Sequence, residues 1–344
     1  MTPGLHRHVL AWALASLLAA PGHAGAVERS RWLMGTLFTF RAPEAVAAPA
    51  LEAALDSVGS LETRLSNWRP SSELSLLNAA GSADLVSEPL LAVVDSALAL
   101  AAVTGGMFDP TVEPLTRAWD LRGAGRVPDA HELADALSRV DWCLVRVSDR
   151  SVRLGGAQLD LGGIGKGFAL DRAARILAEW GVRDATLDAG GQRLDVGAGE
   201  QVAWVAHPAH REEPLVRLVL RGGSLSTSSQ SERFVRAAAC RLGHVLDPRT
   251  GRPLATRASV TVRAPSGTRA DALSTALLVM GRDAAAAFAL AHPEIGVLWL
   301  EPSGRQVRAD AWNLRVAEFA HGVRLTFHSS GSSLEPLTHL TRTP

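Results

Sequence analysis

The residues with the clearest chemical potential lie in one glycine-rich stretch, residues 160–171, which reads DLGGIGKGFALD. The residues after it place apolar side chains on one helical stripe, and Gly181 then ends the pattern. The stripe consists of Ala169, Ala173, Ile176, Leu177 and Trp180. We therefore predict a glycine loop that leads into a helix over residues 168–180. Such a loop presents free backbone N–H groups and a positive dipole end to an anion.

Lys166, inside this stretch, is the only lysine of the chain. A compact ammonium in a glycine loop suits a phosphate or a carboxylate, where a guanidinium would be too wide. The alternative is that Lys166 has no function and remains by chance on an exposed loop, in a chain whose other basic residues of this kind are arginines. The stretch matches neither the GxxxxGK[ST] loop of nucleoside triphosphatases nor the GxGxxG dinucleotide fingerprint.

A carboxylate and a hydroxyl, Asp271 and Thr275, are spaced four residues apart near the start of a predicted helix, residues 269–280. This spacing puts both side chains on one helix face. Their oxygens suit a hard cation such as Mg²⁺. Spacing alone leaves a structural alternative open. In it, the helix dipole stabilises the negative Asp271 carboxylate, and the Thr275 hydroxyl hydrogen-bonds to the main chain of its own helix. We predict Thr268 as the cap of this helix.

Five other side chains could face a ligand or serve the fold. Asp109 and Asp160 each lie beside an apolar run and a turn, so each is a cap or a ligand contact. His244 lies in a turn-rich hairpin and could move protons near neutral pH, or be structural. Trp68 and Phe108 could stack on a ring or pack in the core. Because the chain has no tyrosine, an aromatic platform must come from Trp, Phe or His.

Composition places the chain among globular proteins of one large domain or two lobes: 344 residues, 47% hydrophobic and 20% charged. The formal net charge of zero offers no argument for nucleic acid or an anionic membrane as a partner. The only cysteines are Cys143 and Cys240, too few for a disulfide framework. Two possibilities therefore remain: the two cysteines form a single disulfide, or they are two buried free thiols.

The N-terminus resembles a secretory signal. A weakly basic start at residues 6–8 precedes an apolar run, residues 9–20, that is too short to span a bilayer. Small residues at 24–26 indicate cleavage near Ala26, although an uncleaved anchor is an alternative. After cleavage we expect no stable membrane span. Residues 328–344 are rich in Ser, Thr, Pro and Gly and are predicted to be a disordered tail, so the folded domain is predicted over residues 27–327.

Helix and strand patterns mix without a regular βαβ alternation, which favours an α+β fold with a mixed, largely antiparallel sheet and packed helices. Besides those named above, the predicted helices are 50–65, 73–78, 90–104, 129–140 and 282–291. The predicted strands are 31–40, 143–147, 151–154, 185–188, 202–206, 215–220, 259–263 and 296–300. Residues Ser71 or Ser72 are predicted to cap the second helix.

A set of motifs in a fixed order resembles one family, the FAD:protein FMN transferases, known as ApbE-type flavin transferases. The matching segments are MGT (34–36), LSNWRP (65–70) with SEL (72–74), GMFDPTV (106–112), the glycine stretch, DAGG (188–191), STS (226–228), HVLDPRTG (244–251) and ADALSTA (270–276). They run from about residue 31 to residue 300. Each motif alone is weak, but the ordered set is specific.

The resemblance implies two lobes that form an FAD cleft, Mg²⁺ at the FAD pyrophosphate, and export to the periplasm. Family members transfer FMN from FAD to a threonine or serine hydroxyl of a partner protein through a phosphoester, and AMP leaves. The implied partner is a flavin-accepting subunit of a redox complex or an extracytoplasmic reductase.

Some members hydrolyse FAD to FMN and AMP. The alternatives are therefore an FAD pyrophosphatase and a non-catalytic FAD-binding protein. The oligomeric state stays open.

The resemblance also implies residue roles by position. Residues expected to line the flavin and adenine surfaces or to touch FAD are Met34, Trp68, Met107, Phe108, Asp109, Asp160, Lys166, Val245 and Leu246. The carbonyl of Gly163 would hold Mg²⁺ together with Asp271 and Thr275. The base that accepts the proton is either His244 or a carboxylate near the metal, Asp271 included.

The chain departs from the family pattern at three positions. Trp68 stands where tyrosine is common, and stacking should survive. Gly165 stands where alanine is common. Some relatives carry an acidic residue in place of Lys166, so a lysine there is not essential across the family.

Overall fold

The computed structural model describes residues 25–230, 234–237, 240–320 and 322–328. Most of the predicted signal segment and the tail after His328 lie outside the described residues. His328 itself, where the predicted tail begins, is the last residue of a strand. In this part of the chain no helix is long and apolar enough to cross a membrane.

Strands and helices alternate irregularly along the chain. The strands are β1 (Val27–Leu33), β2 (Thr36–Ala42), β3 (Ser82–Ala83), β4 (Arg146–Ser148), β5 (Ser151–Arg153), β6 (Ala185–Ala189), β7 (Arg193–Ala206), β8 (Pro214–Ser229), β9 (Phe234–Ala237), β10 (Cys240–Gly243), β11 (Leu246–Asp247), β12 (Arg252–Pro253), β13 (Ser259–Ala264), β14 (Gly296–Ser303), β15 (Gln306–Trp312), β16 (Arg315–Phe319) and β17 (Val323–His328). The helices are α1 (Ala48–Leu65), α2 (Glu73–Ala80), α3 (Glu88–Val103), α4 (Glu113–Ala118), α5 (Ala130–Leu137), α6 (Gly165–Glu179), α7 (Gly267–Met280) and α8 (Arg282–Ala291). Short 3-10 helices lie at Ala45–Ala47 and Trp142–Leu144.

Ten of the described strands form one sheet in the order β1-β2-β6-β7-β8-β13-β14-β15-β17, with β16 paired to β8. Neighbouring strands are antiparallel except β15 and β17, which are parallel. Helix α6 packs against both α1 and α7, and all three helices pack against this sheet. The predicted α+β fold with a mixed, largely antiparallel sheet is therefore confirmed.

Three hydrophobic clusters stabilise the described part of the chain. The largest joins the sheet to α1, α3, α6 and α7. A second lies among β7, β8, β14, β15 and β16. A small third cluster joins α4 and α5 to Leu246 of the β11–β12 hairpin. The third cluster matters for the site, because it anchors the hairpin that carries part of the family motif.

Local capping explains where two predicted helices begin. The Ser72 hydroxyl accepts a hydrogen bond from the Ser75 amide at the start of α2. Asp129 and Glu132 form a capping box at the start of α5. The predicted helix at residues 269–280 also exists, but its cap is Ser266 and not Thr268. Thr268 is instead bound by a side chain of α6, a tertiary contact that spacing does not reveal.

The predicted continuous strand over residues 31–40 is wrong, because the chain turns back at Met34 and Gly35. Both residues have positive φ, 50° and 73°, as a two-residue hairpin turn requires. A positive φ is unusual for methionine and is found mostly where the surroundings impose it. The turn carries Met34 to the glycine stretch, as described below.

Helix α6 begins at Gly165, inside the glycine stretch and earlier than predicted. Ala169, Ala173 and Leu177 are buried as predicted, but Trp180 at the helix end is 58% exposed. Cys143 is a free, exposed thiol, so it is neither buried nor half of a disulfide. The side chain of Cys240 is not among those that the structure describes.

Candidate functional site

The N-terminal turns of α6 and α7 lie in direct backbone contact. A Cβ added to Gly167 would meet the carbonyl oxygen of Gly267 at 2.0 Å, so only glycine permits this approach. The Asp171 carboxylate of α6 accepts bonds from the Gly267 amide (2.6 Å), the Thr268 amide (2.8 Å) and the Thr268 hydroxyl (2.5 Å). One helix therefore caps the other and fixes their relative position.

This contact brings Lys166 and Asp271 together. Oδ2 of Asp271 accepts a bond from the Gly167 amide at 3.0 Å, and Oδ1 lies 3.5 Å from the Lys166 ammonium. The Asp271 side chain is 5% exposed and that of Lys166 is 28% exposed. A carboxylate and an ammonium thus lie together at the start of α6, where one face remains accessible.

The glycine stretch also contacts Thr275, Phe108 and Met34. A Cβ on Gly163 would lie 3.4 Å from Thr275 Oγ1 and 3.3 Å from a ring carbon of Phe108. One on Gly165 would lie 3.5 Å from the Met34 methyl group. Phe108 is buried in the main core, whereas Met107 is only partly buried against it. For Phe108, core packing is therefore part of its role.

The oxygen donors at this contact are the Asp271 carboxylate and the Thr275 hydroxyl, and the main chain of Gly163 lies beside Thr275. Among the described residues, no three His, Cys, Asp or Glu side chains come together as a metal cluster. A set of hard oxygen donors with a single carboxylate does not suit zinc or copper, which take His and Cys. It does fit Mg²⁺, which is bound through one or two carboxylates together with phosphate oxygens.

Asp160 is held by a buried ion network rather than left free. Its Oδ1 accepts from the Gly162 amide at 2.8 Å, and its Oδ2 accepts from Arg122 at 2.8 Å and from the Thr116 hydroxyl at 3.0 Å. Arg122 also pairs with both oxygens of Glu113, which is 1% exposed. Burial alone would lower the pKa of Arg122, but Glu113 and Asp160 raise it overall, so the guanidinium stays charged.

The same network reaches the loop that carries Trp68. The Asn67 amide donates to Glu113 Oε2 and to the Leu159 carbonyl, each at 2.9 Å. This leaves the neighbouring Trp68 ring 65% exposed. Core packing is therefore excluded for Trp68, and its ring face is available to a flat ligand.

Asp109, the residue after Phe108, is buried, and its carboxylate is bound by Thr111 and Trp142. Its Oδ1 accepts from the Thr111 amide (2.8 Å) and hydroxyl (2.6 Å), and its Oδ2 accepts from the Trp142 amide at 3.2 Å. Burial raises the pKa of Asp109 above its usual value, although these hydrogen bonds oppose the shift. The Trp142 ring also lies 3.5 Å from the Cβ position of Gly106.

The segment with His244, Val245 and Leu246 is held by Gln230, directly after β8. The Gln230 carbonyl oxygen accepts from the Val245 amide at 3.0 Å. Its amide donates to the Val245 carbonyl at 2.8 Å and to the Leu254 carbonyl at 3.0 Å. Val245 and Leu246 are buried and His244 is half-buried. Gln230 thereby fixes the main chain next to His244.

The end of β8 links the two halves of the site. Ser228 bonds to Thr275 of α7, and Gln230, two residues later, binds Val245. Five residues that hold the site had no role predicted from the sequence: Glu113, Arg122, Trp142, Ser228 and Gln230. Ser228 lies inside the STS motif and Glu113 directly follows GMFDPTV, so their position in or next to a motif is a signal that could have indicated these two.

Comparison with known proteins finds sequence matches over most of the chain. A profile of the ApbE family matches residues 34–299. The chain is 34% identical to the FAD:protein FMN transferase of Treponema pallidum (strain Nichols) over 83% of this chain and 86% of the relative. It is 31% identical to the enzyme of that name from Klebsiella pneumoniae (strain 342) over 69% of this chain and 73% of the relative.

Solved structures show the same fold. The ApbE protein of Thermotoga maritima superimposes with a TM-score of 0.74 at 30% identity, over 80% of this chain and 94% of that one. The flavin transferase ApbE of Vibrio cholerae gives 0.72 at 26% identity, over 83% and 96%. The profile match covers more than half of the chain and includes every element that builds the site. The chain therefore belongs to the ApbE family, the family of the FAD:protein FMN transferases.

Proposed function

We propose that this chain transfers FMN from FAD to a threonine or serine hydroxyl of a partner protein in a Mg²⁺-dependent reaction that releases AMP. The observation that supports the proposal is the junction of α6 and α7. It gathers Lys166, Asp271, Thr275 and Gly163 at the start of α6, where the Lys166 side chain is partly exposed, in a family whose curated relatives are FAD:protein FMN transferases.

FAD presents two flat ring systems and a pyrophosphate, and the site offers a partner for each. The exposed Trp68 ring and the Met34 side chain offer stacking and apolar surface. The Lys166 ammonium offers a donor to the phosphates. The expected free amides at the start of α6 are engaged elsewhere, because the Gly165 amide donates to the Leu161 carbonyl and the Gly167 amide donates to Asp271. Asp109, Asp160, Met107, Val245 and Leu246 would complete the walls of this FAD site.

Asp271, Thr275 and the Gly163 carbonyl would hold Mg²⁺. When bound, the ion neutralises charge on the phosphate oxygens and so lowers the barrier to attack at phosphorus. Lys166 adds a second positive charge on the same side. Asp271 is held in place for this role by the Gly167 amide, since one oxygen of the carboxylate accepts that bond.

The transfer forms one bond and breaks one bond. The acceptor hydroxyl oxygen attacks the phosphorus of the FMN half, and the bond from this phosphorus to the bridging oxygen breaks, so AMP leaves with that oxygen. The hydroxyl proton passes to a base. His244 and Asp271 are the two candidates. We favour His244, because the Asp271 oxygens already face the Gly167 amide and Lys166.

We also propose that the chain is exported to the periplasm, on the basis of the signal-like N-terminus. The acceptor would then be an extracytoplasmic reductase or the flavin-accepting subunit of a redox complex. Both proposals are tested by locating the mature protein in cell fractions and by sequencing its first residues.

A mass spectrum of the acceptor tests the transfer directly. The mature protein is mixed with FAD, Mg²⁺ and a flavin-accepting redox subunit, with parallel tubes that lack the acceptor or contain a chelator. We expect an FMN-sized mass gain on the acceptor that the chelator abolishes. Equal release of FMN and AMP without modification of the acceptor would indicate a pyrophosphatase, and FAD that stays intact would indicate a binding protein.

Two variants separate metal binding from FAD binding. Asp271→Asn should abolish Mg²⁺-dependent transfer while much of the FAD binding remains. Lys166→Met should weaken FAD binding, measured by quenching of flavin fluorescence. Wild-type turnover in Asp271→Asn would refute the metal assignment, and an unchanged dissociation constant in Lys166→Met would refute the role of the lysine.

A further inference from the structure

Three buried serine hydroxyls, those of Ser226, Ser228 and Ser274, form a chain that ends at the partly buried Thr275 of the proposed metal site. Ser228 Oγ of β8 lies 3.3 Å from Thr275 Oγ1 and 2.8 Å from Ser274 Oγ. Ser274 Oγ in turn lies 2.9 Å from the Asp271 carbonyl oxygen and 3.4 Å from Ser226 Oγ. Ser274 is fully buried and Ser228 is 8% exposed, so these hydroxyls depend on one another for hydrogen bonds.

One arrangement of the protons satisfies these hydroxyls. The Asp271 carbonyl oxygen can only accept, and Ser274 Oγ lies 2.9 Å from it. When Ser274 donates its single proton to this carbonyl, Ser228 donates to Ser274 at 2.8 Å. The Ser228 oxygen then accepts from Thr275 at 3.3 Å.

This polarity determines what Thr275 can offer. In this arrangement the Thr275 proton is directed inward, to Ser228 at 3.3 Å or to the Asp271 carbonyl at 3.5 Å. The lone pairs of its oxygen then remain for a ligand, and the Cβ position of Gly163 lies 3.4 Å from this oxygen. A hydroxyl binds a hard cation through a lone pair, and it does so best when its proton is already donated elsewhere.

We propose that Ser228 and Ser274 are positioning residues that orient the Thr275 hydroxyl so that its oxygen faces the metal. The inference rests on the proposed function, because it assigns a role relative to the Mg²⁺ of that site. It adds a reason for the STS motif at residues 226–228, for which the resemblance supplied no role.

Thr227 provides a matched control within the same strand. Successive side chains of a strand point to opposite faces, and Thr227 Oγ1 bonds to Thr261 Oγ1 at 2.8 Å, away from α7. Thr227→Val removes a strand hydroxyl next to Ser228 without touching the chain of hydroxyls. Ser228→Ala and Ser274→Ala each remove one link, so either variant tests the inference if the other fails to fold.

The measurement is metal affinity and not turnover. Mn²⁺, which takes the same oxygen ligands and has an electron-spin signal, is titrated into each protein saturated with FAD. The dissociation constant of FAD without metal and the melting temperature are measured alongside. Loss of a residue that supports a metal ligand typically costs about ten-fold or more in metal affinity. We expect that loss in Ser228→Ala and Ser274→Ala and less than a two-fold change in Thr227→Val, with metal-free FAD binding unchanged in all three.

The outcomes separate this inference from the proposed function. If wild type binds the metal and Ser228→Ala and Ser274→Ala bind it equally well, the hydroxyl chain has no positioning role, while the metal site stands. If metal affinity and metal-free FAD binding fall together with the melting temperature, the serines support the fold only, and the inference is overturned. If wild type with FAD binds no metal, or Thr275→Val binds it as wild type does, the metal assignment fails and this inference fails with it.

Discussion

Two glycines in the same helix should respond in opposite ways to the same substitution. A Cβ on Gly167 would lie 2.0 Å from the Gly267 carbonyl oxygen and 2.8 Å from the Thr268 amide nitrogen. These are backbone atoms that no side-chain rotation can move, so α6 and α7 would have to separate by about 1.4 Å to restore an ordinary contact of 3.4 Å. A Cβ on Gly165 meets only the flexible end of Met34, at 3.5 Å.

The free-energy difference can be worked from these contacts. Inserting a methyl group into a packed core costs roughly 1–3 kcal/mol, and a backbone clash places Gly167→Ala at about 3 kcal/mol or more. Gly165→Ala should be neutral or stabilise by up to about 1 kcal/mol, because alanine favours the helix. Separation of the helices would also draw the Gly167 amide away from Asp271, now 3.0 Å apart, so metal-dependent transfer should fall.

Thermal unfolding of the two variants and wild type is the assay, with FMN transfer measured at a temperature where all three are folded. With roughly 2–4 °C for each kcal/mol, Gly167→Ala should melt at least about 6 °C below wild type. Gly165→Ala should melt at or slightly above wild type. Equal melting temperatures for the two variants, or a Gly167→Ala protein with full transfer activity, would refute the reasoning.

Three further predictions concern the residues that hold the site or the sheet. Arg122→Met removes charged bonds to Glu113 and Asp160, while Glu113 keeps Arg117 at 2.7 Å, so it should cost about 2 kcal/mol of unfolding free energy in guanidinium denaturation; a loss below about 1 kcal/mol would contradict this. Gln230→Ala unpairs the buried Val245 amide, so it should lower stability by about 2 kcal/mol and slow single-turnover transfer; an unchanged rate would show that this clamp does not position His244. Burial raises the pKa of the Asp195 carboxyl group in β7 above its usual 3.8, so the folded state binds the carboxyl proton more tightly than the unfolded state does. The stability of the protein should therefore fall as pH rises from about 3.8 through the raised native pKa. Asp195→Asn should lack this decline in melting temperature, and parallel pH curves for variant and wild type would count against the interpretation.

Features with short-range signals were predictable from the sequence. Helices α2 and α5 have their caps, Ser72 and Asp129, directly before them, and each begins within one residue of its predicted start. The α+β class followed from the order of helix and strand patterns, and the ordered motifs indicated the ApbE family that the comparisons then showed. The Met34 turn was missed because a methionine at positive φ has no propensity signal, and the strand pattern on both sides continued through it.

What the sequence by itself determined is therefore local: the capped helices, the glycine stretch, and the identity of the side chains that carry chemistry. Only the tertiary structure decided which of them meet. Lys166 and Asp271 are 105 residues apart in the chain, and Asp160 reaches Arg122 across 38 residues, so no spacing rule connects them. The physical reason is that these contacts depend on how closely α6 and α7 approach, on a buried ion network and on the pairing of β8. Each of these arises only when distant segments pack together and exclude water, so it is a property of the whole fold.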